Sequence, residues 1–238
     1  MAALLKELQS NFLFVLVSLL IGVGLSVISK LAERRLLPRR VSSARRICII
    51  SICGAIAAVL HIFDFSLPFL APGFYKLDFS EVPIMLCGFY LGPSACVACE
   101  GLKILLKLLF KSTSTAFVGD FANFAVGCSL VLPAVIIYHT RKNRKTALLG
   151  LIAGTFFLTV FGSAFNGIYL IPKFAELFGM PIDAIIAMGN KISSNITSLP
   201  TFVIWAVAPL NLIKGSSVSI LTLLLYKRVA RPLFEKGR

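Results

Sequence analysis

The chain alternates long apolar runs with short polar connections, and the runs have the length that a bilayer demands. A helix needs about 20 apolar residues to cross the hydrocarbon core. Phe12–Ser29, Ile47–Phe63, Pro93–Phe110, Asp120–Tyr138, Ala147–Ile171 and Pro209–Tyr226 all approach that length. Val82–Leu91 is shorter and ends at Gly92-Pro93, a break that opens a new helix. It reads as a short or tilted span that extends back to Ser80. Thr197–Ala208 is also apolar, but Pro209 follows it, so the sequence predicts an external cap there. The expectation is therefore an all-α membrane protein with seven crossings. With 58% hydrophobic and 14% charged residues in 238, a soluble enzyme, a disordered chain and a disulfide-stapled module are excluded.

A formal net charge of +14 would point to nucleic acid in a soluble chain. Here the positions of the basic residues explain it. The stretch 30–46 holds Lys30, Arg34, Arg35, Arg39, Arg40, Arg45 and Arg46. The 139–146 connection holds Arg141, Lys142, Arg144 and Lys145, and the tail holds Lys227, Arg228, Arg231, Lys236 and Arg238. Together these are 16 of the 24 basic residues, and they fall on alternate connections. The positive-inside rule then places the N-terminus outside, the C-terminus in the cytoplasm, and no nucleic acid in the account. The first run has Lys6 offset by Glu7 and its arginines after the apolar core, which fits a retained anchor better than a cleaved signal. The six cysteines sit within apolar runs and read as small buried hydrophobes. Cys96 and Cys99 form a C-x-x-C without a second pair or a nearby histidine, so no metal site follows.

Polar residues inside spans are costly and face cavities or one another. By this topology they gather toward one side, the outer one. Lys103 and Lys107 lie in the outer half of their helix, and Asp120 and Asn123 in the first turn of the next. Asn166 sits in a last outer turn. Asn211 and Lys214 share a helix face three residues apart. The connection Asp64–Glu81, with Tyr75, Lys76, Asp78 and Glu81, is expected to lie outside. Glu100 with Lys103, and Asp120 with Lys107, can neutralise each other or serve a ligand. Asn211 and Lys214 have no acid nearby on their own helix. An amide offers donor and acceptor, and an ammonium offers donors only. Such a set suits a flat heterocycle with carbonyl and N–H groups, with Phe74, Tyr75, Phe79, Phe165, Tyr169 and Trp205 as aromatic walls. His61 and His139 are expected at opposite ends. Neither a phosphate-binding G-x-x-x-x-G-K-[ST] loop nor a G-x-S-x-G elbow is present, so the chain reads as no enzyme, and any ATP hydrolysis belongs to another subunit. On Ile47–Phe63, the pairs Ser51/Ala55, Cys53/Ala57 and Gly54/Ala58 permit close helix approach, within the chain or to a partner.

LDFSEVP (Leu77–Pro83), GFYLGP (Gly88–Pro93), GLKILL (Gly101–Leu106), FANFAVG (Phe121–Gly127), FNGIYLIP (Phe165–Pro172), PLNLIKG (Pro209–Gly215) and LLLYKR (Leu223–Arg228) occur in order across roughly residues 45–230. In this the chain resembles the substrate-binding S components of energy-coupling-factor (ECF) vitamin transporters, most closely the riboflavin-specific ones. The resemblance implies a six-helix fold over 45–238 without catalytic activity or cofactor. Residues 1–44 would add one transmembrane helix and a basic linker. It implies high-affinity capture of riboflavin from outside and association with a transmembrane coupling subunit and two ATPases in the plasma membrane. Asn166, Asn211 and Lys214 are the implied flavin contacts, and Leu77, Asp78 and Phe79 the implied lid. Lys103, Asn123 and Tyr169 complete the expected pocket, and Gly54, Ala55 and Ala58 the implied docking surface. Leu210 replaces a usual phenylalanine, and Glu100 and Asp120 have no counterpart in the riboflavin pattern. A component for another vitamin, or a membrane scaffold without a ligand, are the alternative readings.

Overall fold

A computed structural model describes residues 12–37, 41–113, 115 and 117–235. Lys6, Arg39, Arg40, Lys236 and Arg238 lie outside the described residues. In chain order the elements are α1 (Phe12–Leu36), α2 (Ser43–Ile62), a two-stranded hairpin of β1 (Phe65–Ser66) and β2 (Lys76–Leu77), α3 (Glu81–Leu91), α4 (Pro93–Phe110) and α5 (Val118–Arg141). Then come α6 (Arg144–Phe165, extended by Asn166–Leu170 and Ile171–Leu177), α7 (Ile182–Asn190) and α8 (Leu199–Phe202, Val203–Val207 and Ala208–Glu235). Among the described residues, five helices are long and apolar enough to cross a membrane. The chain is an all-α membrane protein: α2, α3, α4, α5, α6 and α8 form a bundle, and α1 lies beside it.

α3 is short because Gly92, at φ 108°, and Pro93 end it, and it forms the centre of the bundle rather than a lipid-facing span. Residues all round it are buried, including Val82, Ile84, Met85, Cys87, Phe89 and Leu91. A helix apolar on every face is stable only when surrounded, and α2, α4, α5 and α8 pack around this one. α5 and α6 approach closely because Gly150 and Gly154 have no side chain; a Cβ at either would strike the Ala134 or Leu130 carbonyl. Four of the six cysteines are buried, and the Cys96 and Cys99 thiols point at the Pro93 and Ile50 carbonyls.

Helix direction alternates, so the described basic residues around Arg34, Arg45, Arg141, Arg144 and Arg228 collect at one end of the bundle. Contacts at that end bear this out. Tyr138 and Tyr226 share a 2.9 Å hydrogen bond, and His139 Nε2 lies 3.0 Å from the Gly88 carbonyl. α1 is clasped there too. Its Glu33 carboxylate accepts from Arg46 at 2.7 and 3.2 Å, from the Ser94 N–H at 3.0 Å and from the Ser94 hydroxyl. A carboxylate at the first turn of α4 also complements that helix dipole.

Two helices carry π turns, and the second corrects the expected cap at 197–208. Residues 199–208 are not a separate cap but the start of α8. Pro209 lacks an N–H and its ring presses on the preceding turn, which ordinarily ends or kinks a helix. The π turn Val203–Val207, closed by Ala208 N–H to Val203 O, widens the backbone just ahead of the proline. Asn166–Leu170 repeats the device, closed by Ile171 N–H to Asn166 O and followed by Pro172. At the end opposite the basic cluster, a second apolar core of Ala71, Leu77, Ile171, Ile185, Ile196, Phe202 and Leu210 joins the hairpin, α7 and α8 into a roof.

Candidate functional site

A cavity of about 280 Å³ opens beneath this roof. Ligand pockets run upward from roughly 300 Å³. Its deep end is made by Asn166, Lys214, Leu210 and Asn211, and its mouth by Asp64, Lys107, Lys111, Thr115 and Asp120. The hairpin is its lid: Phe65 pairs with Leu77 and Ser66 with Lys76, which hangs Phe74, Tyr75, Lys76 and Leu77 over the opening.

Each deep polar group is partly satisfied and partly spare. Asn166 donates to the Gly162 carbonyl at 2.7 Å and accepts from the Tyr75 hydroxyl at 3.0 Å. Burial pushes the Tyr75 phenol up, so it remains a neutral donor. One N–H and one lone pair of Asn166 are left over. Asn211 makes one long bond, 3.5 Å to Ser163 Oγ, and its carbonyl stays available. Lys214 Nζ lies 3.0 Å from Glu81 Oε1 and 3.3 Å from Asp78 Oδ2. An ammonium has three protons, so one remains for the cavity.

Behind Lys214 runs a buried charge network. Lys103 Nζ lies 2.7 Å from Glu100 Oε2 and 3.4 Å from Glu81 Oε1, and donates to Ser80 Oγ at 3.2 Å. Lys103, Glu81 and Glu100 are all 0% exposed. Asp78 Oδ2 also lies 3.2 Å from His61 Nδ1, and Asp78 Oδ1 accepts the Ser80 N–H at 2.9 Å. With Asp78 ionised, His61 carries its proton on Nδ1. Glu100 fits only because Gly127 faces it: a Cβ there would sit 2.6 Å from its carboxylate. Charges this deep persist because each has an opposite partner.

The structure sorts the expected site residues. Leu77, Asn123, Asn166, Asn211 and Lys214 line the cavity together. Asp78 does not line it but holds Lys214. Lys103 lies one layer behind, against Glu81 and Glu100. Phe79 instead packs on the main core and on Phe65, 5.9 Å away, and Tyr169 stacks on Phe165 at 5.5 Å. Neither lines the cavity. Trp205 is 51% exposed on the outside of its π turn and is not a cavity wall. Glu81 is no external-loop residue; it begins α3 and is enclosed. Lys214 finds its acids across the bundle rather than on its own helix. Gly54 and Ala58 are buried, and a Cβ on Gly54 would meet Leu102 at 2.7 Å, so they pack α2 on α4. Of the three implied docking residues only Ala55 is exposed, with Ser51, Ile52, Ile56 and Val59 beside it.

His61, which lines the cavity, and Ser80, which accepts from Lys103, stand outside the expected site set. The signal for Ser80 is its place in an Asp-x-Ser turn just ahead of an apolar helix. The Leu210 departure falls on the cavity wall.

The family model for the substrate-specific component of ECF transporters matches residues 45–226. The chain belongs to this family. It is therefore a transporter component rather than an enzyme, and a multi-pass protein of the plasma membrane. Over 186 residues it is 36% identical to the riboflavin transporter RibU of Staphylococcus aureus, covering 78% of this chain and 90% of that one. It is 27% identical over 195 residues to the riboflavin transporter FmnP of Bacillus subtilis, covering 82% and 96%. A solved S component of a bacterial ECF transporter superposes with a TM-score of 0.63 at 35% identity, covering 81% of this chain and 99% of that one.

Proposed function

We propose that this S component captures riboflavin from outside the cell with high affinity and delivers it through a transmembrane coupling subunit driven by two ATPases. The observation that carries the reading is the deep end of the cavity. Spare amide groups on Asn166 and Asn211 converge with one spare ammonium proton on Lys214. Riboflavin is neutral at pH 7, so Lys214 acts as a donor to a ring carbonyl and not as a counter-ion. The relatives named as riboflavin transporters support the same ligand. The positive-inside rule puts the basic end in the cytoplasm and the cavity outside. Residues 1–44 are an appended segment and 45–238 the S-component domain, a division supported by a family match that begins at residue 45.

Titrating detergent-purified protein with riboflavin, and following the vitamin's own fluorescence, tests the ligand. Tight, stoichiometric quenching is expected, with other vitamins failing to compete. Absence of binding in calorimetry, or equal competition by an unrelated vitamin, would overturn riboflavin as the ligand.

Coupling is assigned to the exposed strip of α2 around Ala55, where a small residue leaves room for a partner helix. Ala55→Trp should abolish ATP-dependent uptake in cells and leave riboflavin binding within about twofold of wild type, because the strip lies outside the cavity. Normal uptake by a well-expressed variant would remove the strip from the docking surface.

A further inference from the structure

We propose that Asp120 is a ligand residue, the acceptor for the hydroxyl groups of a polyhydroxylated chain at the cavity mouth. This rests on the flavin reading above and assigns the other half of the ligand.

Asp120 lines the cavity and is 6% exposed. Its Oδ1 lies 2.5 Å from Lys107 Nζ. Its Oδ2 is buried and has no hydrogen-bond partner among the described residues. A buried carboxylate oxygen left without a donor is costly; oxygens of Glu81 and Glu100 share that state within the charge network, but Asp120 is the one of the three that lines the cavity. Lys107 already accounts for the charge of Asp120, so ion pairing does not explain the second oxygen.

The position of Asp120 along α5 says which part of a ligand it meets. Asn123 is one turn deeper on the same face and also lines the cavity. Val126 comes one turn deeper again, beside Asn211. At about 1.5 Å per residue, Asp120 stands about 9 Å nearer the mouth than Val126. The amides and Lys214 hold the ring end, and Asp120 faces what extends outward from it.

The chemistry then follows from what can donate. A ring carbonyl has no proton for a carboxylate, and a fully ionised phosphate offers it none either. A hydroxyl both donates and accepts. A row of hydroxyls can donate to Asp120 Oδ2 and the Asn123 carbonyl, and accept from Lys107 and Lys111, which also line the mouth. The ribityl chain of riboflavin is such a row.

The test compares riboflavin with lumiflavin, the same ring carrying a methyl group in place of the ribityl chain, on wild-type protein and on Asp120→Ala. Wild type should prefer riboflavin by about tenfold or more, the worth of a charge-assisted hydrogen bond. Asp120→Ala should lose about tenfold for riboflavin and leave lumiflavin unchanged, which a purely structural role would not do. Equal weakening of both ligands, or no change in either, overturns the proposal. If the variant fails to fold, wild type decides alone: equal affinity for the two flavins overturns the proposal while riboflavin binding stands. Wild type that binds neither flavin overturns the flavin reading itself.

Discussion

Lys214→Ala is expected to weaken riboflavin binding about ten- to hundredfold and leave the bundle folded. The donor lost is charged and buried, and such hydrogen bonds contribute roughly 1.5–3 kcal/mol. The fold should tolerate the change because the stranded acids keep other partners. Asp78 retains His61 and the Ser80 N–H, and Glu81 retains Lys103. Isothermal calorimetry with a thermal melt on the same preparation checks both halves. Wild-type affinity in a folded variant would remove Lys214 from the site.

Lys103→Met should cause the largest loss of stability. Lys103 is fully enclosed and is the described cation nearest Glu100, so its removal leaves that carboxylate uncompensated. Breaking a buried pair from one side costs about 3–5 kcal/mol. Adding Glu100→Gln to the same chain should recover much of the loss, since Glu81 still has Lys214 at 3.0 Å. Thermal unfolding in detergent measures both. A double variant no more stable than the single one would show that the network is not held by this pair.

The relation between sequence and site is clearest at these two lysines. Both were legible as intramembrane cations with a job, because an ammonium in an apolar run demands a partner. Pairing of Lys103 with Glu100 was legible too, since three residues on a helix bring side chains together. Pairing of Lys214 with Asp78 was not. Those residues are 136 positions apart and meet only after α3 threads the centre of the bundle. The small residues of α2 teach the same lesson in reverse. Their spacing announced a close contact, but the rotation of α2 about its own axis decides the partner. It turns Gly54 toward Leu102 and leaves Ala55 outside.

The sequence by itself determined the membrane class, the apolar runs, the basic end and the residues with chemistry to offer. Transfer free energies sum locally along a chain, so hydropathy and charge can be read one segment at a time. Tertiary structure alone decided that α8 runs unbroken past Pro209, because a π turn absorbs the proline. It alone enclosed Glu81, turned Phe79 and Trp205 away from the cavity, and brought Asp120 to its lining. Each of these depends on which helix faces which, a property of contacts between distant elements that no local sum contains.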